Sequence, residues 1–470
     1  MLSEGKTGAH FRRKHSSRVT PQKNGVMSER ETEKSKINAY LLDVLSSELE
    51  EANRYAVTDP YVRFAYDRLR ELYWTTTRAL GKLVALAKGN RPRADVPGGE
   101  ALTGDIPAPP ARARLLIDMT HTVDGGFKTG IQRVVREIAR NCVETGAGLP
   151  VTIDAGRIFS HFRHPALPVE IEPGPGDILL LLDACWNNSD DYPPLMRRFK
   201  AQGGKTVVAV YDILPLDYPS LFRPVAAAFF RAWREEIVGR ADAAVAISRS
   251  TAESLHEDMR DASPRPPIGW WPLGADFTAA KGEPSATAVW IATGPAYFLS
   301  VGTLEPRKAY PVAIEAFERL WAAGRDIRYV IVGRPGWNTR ALQQRLRQHA
   351  EFGRRLLWLD DADDADLQLL YANARGAVNC AVAEGFGLPL VEAAMRGVPV
   401  IASDIAVFRE VGGDGPRYFD LLDGKSLAAA IEDVLARPRI APRIKTISWR
   451  ESALELVRLI REEAYQLRGG

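Results

Sequence analysis

Cysteine is scarce in this 470-residue chain: Cys142, Cys185 and Cys380 are too few and too far apart for a disulfide framework or a four-thiolate zinc site. A reducing compartment suits them. Long apolar runs are also missing, since even 178 to 186 (ILLLLDACW) falls well short of the roughly 18 to 20 residues that span a bilayer. The N-terminus has no apolar h-region of a secretory leader, so a cytoplasmic location is expected. Net charge is small as well: 62 basic against 59 acidic residues leave +3, and no global field points to nucleic acid as partner. His121, His161, His164 and His256 lack metal-ligand spacing and are expected at the surface or in loops.

What is present is a change of texture along the chain. Residues 1 to 24 carry six cations (Lys6, Arg12, Arg13, Lys14, Arg18, Lys23) against Glu4, with almost nothing apolar to bury, and read as a disordered basic tail. Ile37, Leu41, Val44, Leu45 and Leu49 then recur at three- and four-residue steps on one helical face. Asp59 and Pro60 open a second helix whose stripe runs through Tyr61, Phe64, Leu69, Leu72, Leu80 and Leu83. A helical hairpin follows from the two, and through it an oligomer contact. The Pro- and Gly-dense stretch 89 to 112 then separates the hairpin from the rest.

Beyond it, short apolar runs alternate with amphipathic helices, the pattern of parallel sheets with crossover helices. Strands are expected at 114 to 118, 150 to 153, 177 to 183, 205 to 211 and 242 to 247, and again at 297 to 301, 328 to 332, 355 to 359, 376 to 380 and 398 to 402. The Pro-, Gly- and Trp-rich segment 261 to 294 breaks the series and is expected to hold an inter-domain connection. The division is therefore a tail over 1–27, a hairpin over 28–88, a linker over 89–112, two Rossmann-like α/β domains over 113–285 and 286–448 facing a cleft, and a terminal helix over 449–470.

Two stretches carry chemistry. In 384 to 392 (EGFGLPLVE), Glu384 and Glu392 stand eight residues apart across a strand-to-helix turn, and the amides of Gly387 and Leu388 would point from a helix N-terminus, a natural anion site. In 301 to 308 (VGTLEPRK), Arg307 and Lys308 follow a strand, where open α/β sheets bind ligands, and could offer charge-assisted hydrogen bonds to a diphosphate. Alone, each also reads as an ordinary solvated loop. The run Asp360, Asp361, Asp363, Asp364, Asp366 contains the spacing of metal-dependent sites, but it precedes a helix start, where acids favour the dipole.

Together, in this order and spacing, the run 298 to 320, the element 384 to 392 and 397 to 401 (GVPVI) closely resemble the C-terminal domain of retaining glycosyltransferases of family four. Val332 to Trp337, Asp366, Leu367 and Tyr371 are similar to that family's connecting elements, and the resemblance covers roughly 114 to 465. It implies a GT-B fold with an acceptor domain followed by a donor domain, and a terminal helix crossing back onto the first domain, although Trp449 and its stripe also fit an ordinary terminal helix.

For the site, the resemblance implies that Glu392 holds the nucleotide ribose, Glu384 contacts the transferred sugar, and Arg307, Lys308 and the amides of Gly387 and Leu388 hold the diphosphate. Gly130 in 129 to 134 (TGIQRV) resembles a glycine loop under the phosphates, and Asp212 in 210 to 217 (VYDILPLD) a loop near the donor sugar. Ser248 matches a strand-to-helix serine that also reads as a plain N-cap. The sequence departs from the pattern at Tyr211, where many relatives have His, at Thr303, where some have a phosphate-binding Arg, and at Cys380 and Ala381 in place of Pro-Ser. The implied reaction is hexosyl transfer, of a mannose or rhamnose type, from a nucleotide-diphosphate sugar to a glycan or lipid-linked acceptor in surface-polysaccharide synthesis. No cofactor or metal is implied, the basic tail suggesting only a peripheral contact with the inner face of the membrane. A nucleotide-sugar epimerase, a phosphorylase or a non-catalytic scaffold of a polysaccharide-synthesis complex would share the architecture.

Overall fold

The computed structural model describes Glu33, Lys36, Ile37, Ala39, Tyr40, Asp43 and Val44, then residues 113–125, 129–160, 169–187, 191–219, 222, 224–277 and 282–469. The seven early positions are helical, and Ile37 is buried against the core of the second domain, in a cluster with Tyr310, Phe317 and Cys380. The basic tail, the second helix expected to open at Asp59 and Pro60, and the linker 89–112 lie outside the described residues.

Two sheets organise the remainder. The first is built from β1 (Leu115–Asp118), β2 (Leu149–Asp154), β3 (Arg157–Ser160), β4 (Val169–Ile171), β5 (Ile178–Leu181), β6 (Lys205–Val210), β7 (Ala243–Ala246) and β8 (Ile268–Trp270), in the order β4-β3-β2-β1-β5-β6-β7-β8. The second holds β9 (Tyr297–Val301), β10 (Arg328–Val332), β11 (Leu356–Leu359), β12 (Gly376–Asn379), β13 (Val400–Ser403) and β14 (Arg417–Phe419), in the order β11-β10-β9-β12-β13-β14. Every pair in the second sheet is parallel, and so are those of the first except β2-β3 and β3-β4. Both faces are covered by helices, so strands such as β10 (RYVIV) are buried along their whole length and read as unbroken apolar runs.

Strand order reverses between β1 and β5 in the first sheet and between β9 and β12 in the second. Ligands of open α/β sheets settle at such switch points, outside the carboxyl ends of the strands. The loops after β9 and β12 carry Arg307, Lys308 and Glu384, so topology alone makes these residues neighbours.

The two sheets are not independent bodies. One apolar cluster runs from Ile117 and Val134 through Trp271 and Trp449 to Leu299 and Val391. The last helix, Trp449–Arg461, packs on Gly130–Glu144 of the first domain, with Arg461 donating to the Ala147 carbonyl at 3.1 Å and Ser452 to that of Pro272 at 2.7 Å. The chain thus returns to the first domain at its last helix. That helix ends at Arg461, earlier than its apolar stripe suggests, and Leu467 instead pairs with Ile268 of β8.

Candidate active site at the domain cleft

The turn from β12 into Leu388–Met395 is shaped by Gly387, whose φ of +96° is a left-handed conformation costly for other residues; a Cβ there would lie 2.7 Å from the Phe408 ring. This turn frees the first amides of the helix, with Leu388 at its N-terminus. Beside it, the loop after β9 forms a short 3-10 turn, Pro306–Lys308, closed by Ala309 in the left-handed region. The two loops are stitched by Val382 N–H donating to the Arg307 carbonyl at 2.8 Å.

Charge concentrates where they meet. Arg307 binds Glu384 at 2.7 Å through one amino group and Glu305 at 2.7 Å through Nε, while Lys308 pairs with the other Glu384 oxygen. Burial opposes ionisation of Glu384, but Arg307 and Lys308 more than offset it and hold the carboxyl below its usual range. Asp212 enters from the first domain: burial raises its carboxyl, and the nearby Arg307 partly offsets that. Its Oδ1 accepts from Leu214 N–H at 3.1 Å. Thr303 sits half-buried in the same loop as the cations. Arg307 therefore serves three carboxylates, of which Glu305 carries no motif signal beyond its place before Pro306.

A second focus lies one helical turn further on. Glu392 is only 4% exposed, yet it is paired with Arg133 of the first domain and accepts from the Tyr371 hydroxyl at 3.2 Å. Arg133 follows Gly130 on the helix Gly130–Glu144, and a Cβ at Gly130 would stand 3.7 Å from Leu388, so the glycine loop does face the second domain's helix N-terminus. The reading of 129 to 134 for its glycine passes over Arg133; an exposed-looking cation three residues into a helix gives no signal until its carboxylate partner is known.

Between the foci the domains touch directly. Ser248 caps the helix Arg249–Asp258, accepting from Thr251 N–H, and its hydroxyl donates to the Gly385 carbonyl at 2.6 Å. The serine is thus an N-cap whose hydroxyl also bonds across the domain contact. Thr251 donates to the same carbonyl at 3.2 Å, and a Cβ on Gly385 would overlap the Tyr211 carbonyl. Tyr211 thus brings its backbone to the cleft, while its hydroxyl is spent on Leu182 at 2.8 Å. Glu410 of the second domain accepts from the amides of Arg249 and Ser250 at 2.6 and 2.8 Å, a carboxylate seated on a first-domain helix end.

Two members of the acidic run are engaged locally. Asp363 caps Asp364–Asn373 by accepting from Ala365 and Asp366 N–H at 2.9 Å each, and Asp366 accepts from Ser285 N–H at 2.6 Å. Among the described residues, no group of three His, Cys, Asp or Glu is arranged to hold a metal ion. His121 and His256, expected at the surface or in loops, lie half-buried in helices, each with one ring nitrogen shielded from solvent. His161 and His164 lie outside the described residues. Nor is any described helix long and apolar enough to cross a membrane.

Comparison with known proteins agrees with this geometry. Residues 287–448 match the family model "Glycosyl transferases group 1". The serotype-specific mannosyltransferase WbdA of Escherichia coli is 32% identical over 363 residues, covering 72% of this chain and 44% of WbdA. The chain thus spans less than half the length of WbdA. The O-antigen chain mannosyltransferase RfbU of Salmonella typhimurium is 27% identical over 232 residues, 49% of this chain and 61% of RfbU. Among solved structures, one described as trehalose-6-phosphate from E. coli bound with UDP-2-fluoro glucose aligns with TM-score 0.53 and 12% identity over 76% of this chain and 100% of that one. Anabaena HepE in complex with UDP and glucose aligns with TM-score 0.50 and 14% identity over 76% and 100%. At such identities these structures speak for the fold alone. The chain therefore has the two-domain GT-B fold, carries a group 1 glycosyltransferase domain over 287–448, and is similar to the O-antigen mannosyltransferases.

Proposed function

We propose that the protein is a retaining glycosyltransferase that moves a mannose-type hexose from a nucleotide-diphosphate sugar onto a glycan or lipid-linked acceptor, without a metal ion. The observation that carries this is the pairing of Arg307 and Lys308 with Glu384, three residues before the Gly387–Leu388 helix end, at the switch point of the second sheet. A diphosphate leaving group gathers negative charge as the glycosidic bond breaks. Two cations and two free amides in a largely desolvated cleft can stabilise that charge without a cation bound between them. Glu384 then has two tasks: it holds Arg307 and Lys308 in place, and it faces the sugar. Glu392 binds the ribose. With no carboxylate assigned as nucleophile, the departing phosphate takes the acceptor's proton as the acceptor oxygen attacks the same face, and the protein contributes position and electrostatics. The mannosyltransferase relatives support a mannose-type donor and a role in polysaccharide synthesis.

The test is to incubate the full chain with labelled GDP- and UDP-hexoses and acceptor oligosaccharides, following product and its anomeric configuration by NMR. Transfer with retention supports the reading. Epimerised donor without acceptor, or sugar phosphate formed only with free phosphate, assigns the protein to an epimerase or a phosphorylase. Binding without turnover assigns it to a scaffold.

A further inference from the structure

Arg133 links several of the parts that meet at the cleft's inner end. Its guanidinium pairs with Glu392 of the second domain, lies 4.5 Å from the ring centre of Phe277 in the inter-domain connection, and reaches 5.9 Å from that of Trp449 at the start of the returning helix. It also donates to the Asp276 carbonyl at 3.4 Å. Arg396 also lies over the Phe277 ring, at 4.1 Å from its centre. A guanidinium held by an aromatic face and a carbonyl is fixed in direction, more so than a lysine ammonium could be.

The acceptor side of this pair is a buried carboxylate with spare capacity. Glu392 uses one oxygen for Arg133 and one for the Tyr371 hydroxyl. An ionised carboxylate has about four lone-pair sites, so roughly two remain, the number that a ribose's 2′- and 3′-hydroxyls would fill. Removing the cation from a buried carboxylate leaves an unpaired charge whose direction is no longer set.

We propose that Arg133 is a positioning residue for the nucleotide: from the opposite domain it holds Glu392 in one orientation, so that ribose recognition is complete only when the two domains meet. This inference rests on the reading of Glu392 as the ribose-binding group. It makes the ribose a part of the donor that senses closure, because its carboxylate stands in one domain and the cation that directs that carboxylate in the other.

The experiment compares binding of GDP and of 2′,3′-dideoxy-GDP by titration calorimetry, in the wild type, Arg133→Met and Arg133→Lys. Two hydrogen bonds to a charged acceptor predict that the wild type prefers the ribonucleotide by at least about 30-fold. In Arg133→Met that preference falls to about threefold or less, through weaker GDP binding with little change for the dideoxy compound, and Arg133→Lys recovers part of it. A merely structural role would weaken both ligands alike. If the wild type shows no preference, Glu392 does not read the ribose and the underlying reading fails. If the wild type discriminates and Arg133→Met discriminates equally, or binds GDP more tightly, the positioning role is overturned while that reading survives. Should Arg133→Met not fold, Arg133→Gln is the neutral variant on which the same outcomes are read.

Discussion

Replacing Gly385 by alanine should separate closure of the cleft from the chemistry within it. The added Cβ overlaps the Tyr211 carbonyl and lies 3.3 Å from Ile247. Tyr211 cannot easily retreat, because its hydroxyl is tied to Leu182 at 2.8 Å and its chain continues directly from buried β6. The substitution also moves the carbonyl that accepts from Ser248 and Thr251. Overpacking of this kind costs about 1–3 kcal/mol. Two neutral hydrogen bonds contribute about 0.5–1.5 kcal/mol each. The closed arrangement should therefore lose about 2–6 kcal/mol, a factor between about 30 and 10⁴ in its population. Small-angle scattering should show an increased radius of gyration, and the rate of sugar transfer from a labelled donor should fall at least about 30-fold. A Gly385→Ala variant with wild-type scattering and wild-type rate would refute the argument that this contact governs closure.

Other consequences are simpler to state. Lys308→Ala removes one charge-assisted hydrogen bond from the diphosphate, so calorimetry should show nucleoside-diphosphate affinity about 10- to 100-fold weaker. Burial pushes the Asp118 carboxyl, bonded to Thr120 and to Tyr192, up to about 6. Since its folded value exceeds its unfolded one, the wild type loses stability as pH rises from about 4 to 6. Asp118→Asn should therefore melt above the wild type beyond about pH 6 and converge with it below about pH 4; the reverse order would contradict the assignment. Asp363→Ala should cost about 1 kcal/mol as a lost helix cap, read by thermal melting. With Asp363 committed to that cap, EDTA should leave the transfer rate unchanged, and a rate lost to EDTA and restored by manganese would return the acidic run to a metal role.

Much of the frame was legible in the residues because buried parallel strands announce themselves. β9 and β10 fall on the ranges that their apolar runs suggest, 297–301 and 328–332. The strands that escaped reading are short or marginal. β3 and β4 form an antiparallel edge, and their only signal is the turn at Ala155 and Gly156, both with positive φ, which joins β2 to β3. β8 is three residues inside a Pro- and Trp-rich segment that reads as connection, and β14, also three residues, lies beyond the last strand expected. At the site, Arg307, Lys308 and Glu384 were readable as two loops, and the switch point between β9 and β12 explains why they adjoin. Arg133, Glu410 and the Tyr211 carbonyl were not, because each matters only through a partner far along the chain on the other domain. Local pattern carries no such pairing.

The account stands on a diphosphate held by the loops after β9 and β12. A crystal of the full chain soaked with GDP or UDP tests that directly. The phosphate oxygens should lie within about 3 Å of the Lys308 ammonium, the Arg307 guanidinium and the Gly387 and Leu388 amides, with the ribose on Glu392. A nucleotide bound anywhere else, with those groups untouched, would contradict it.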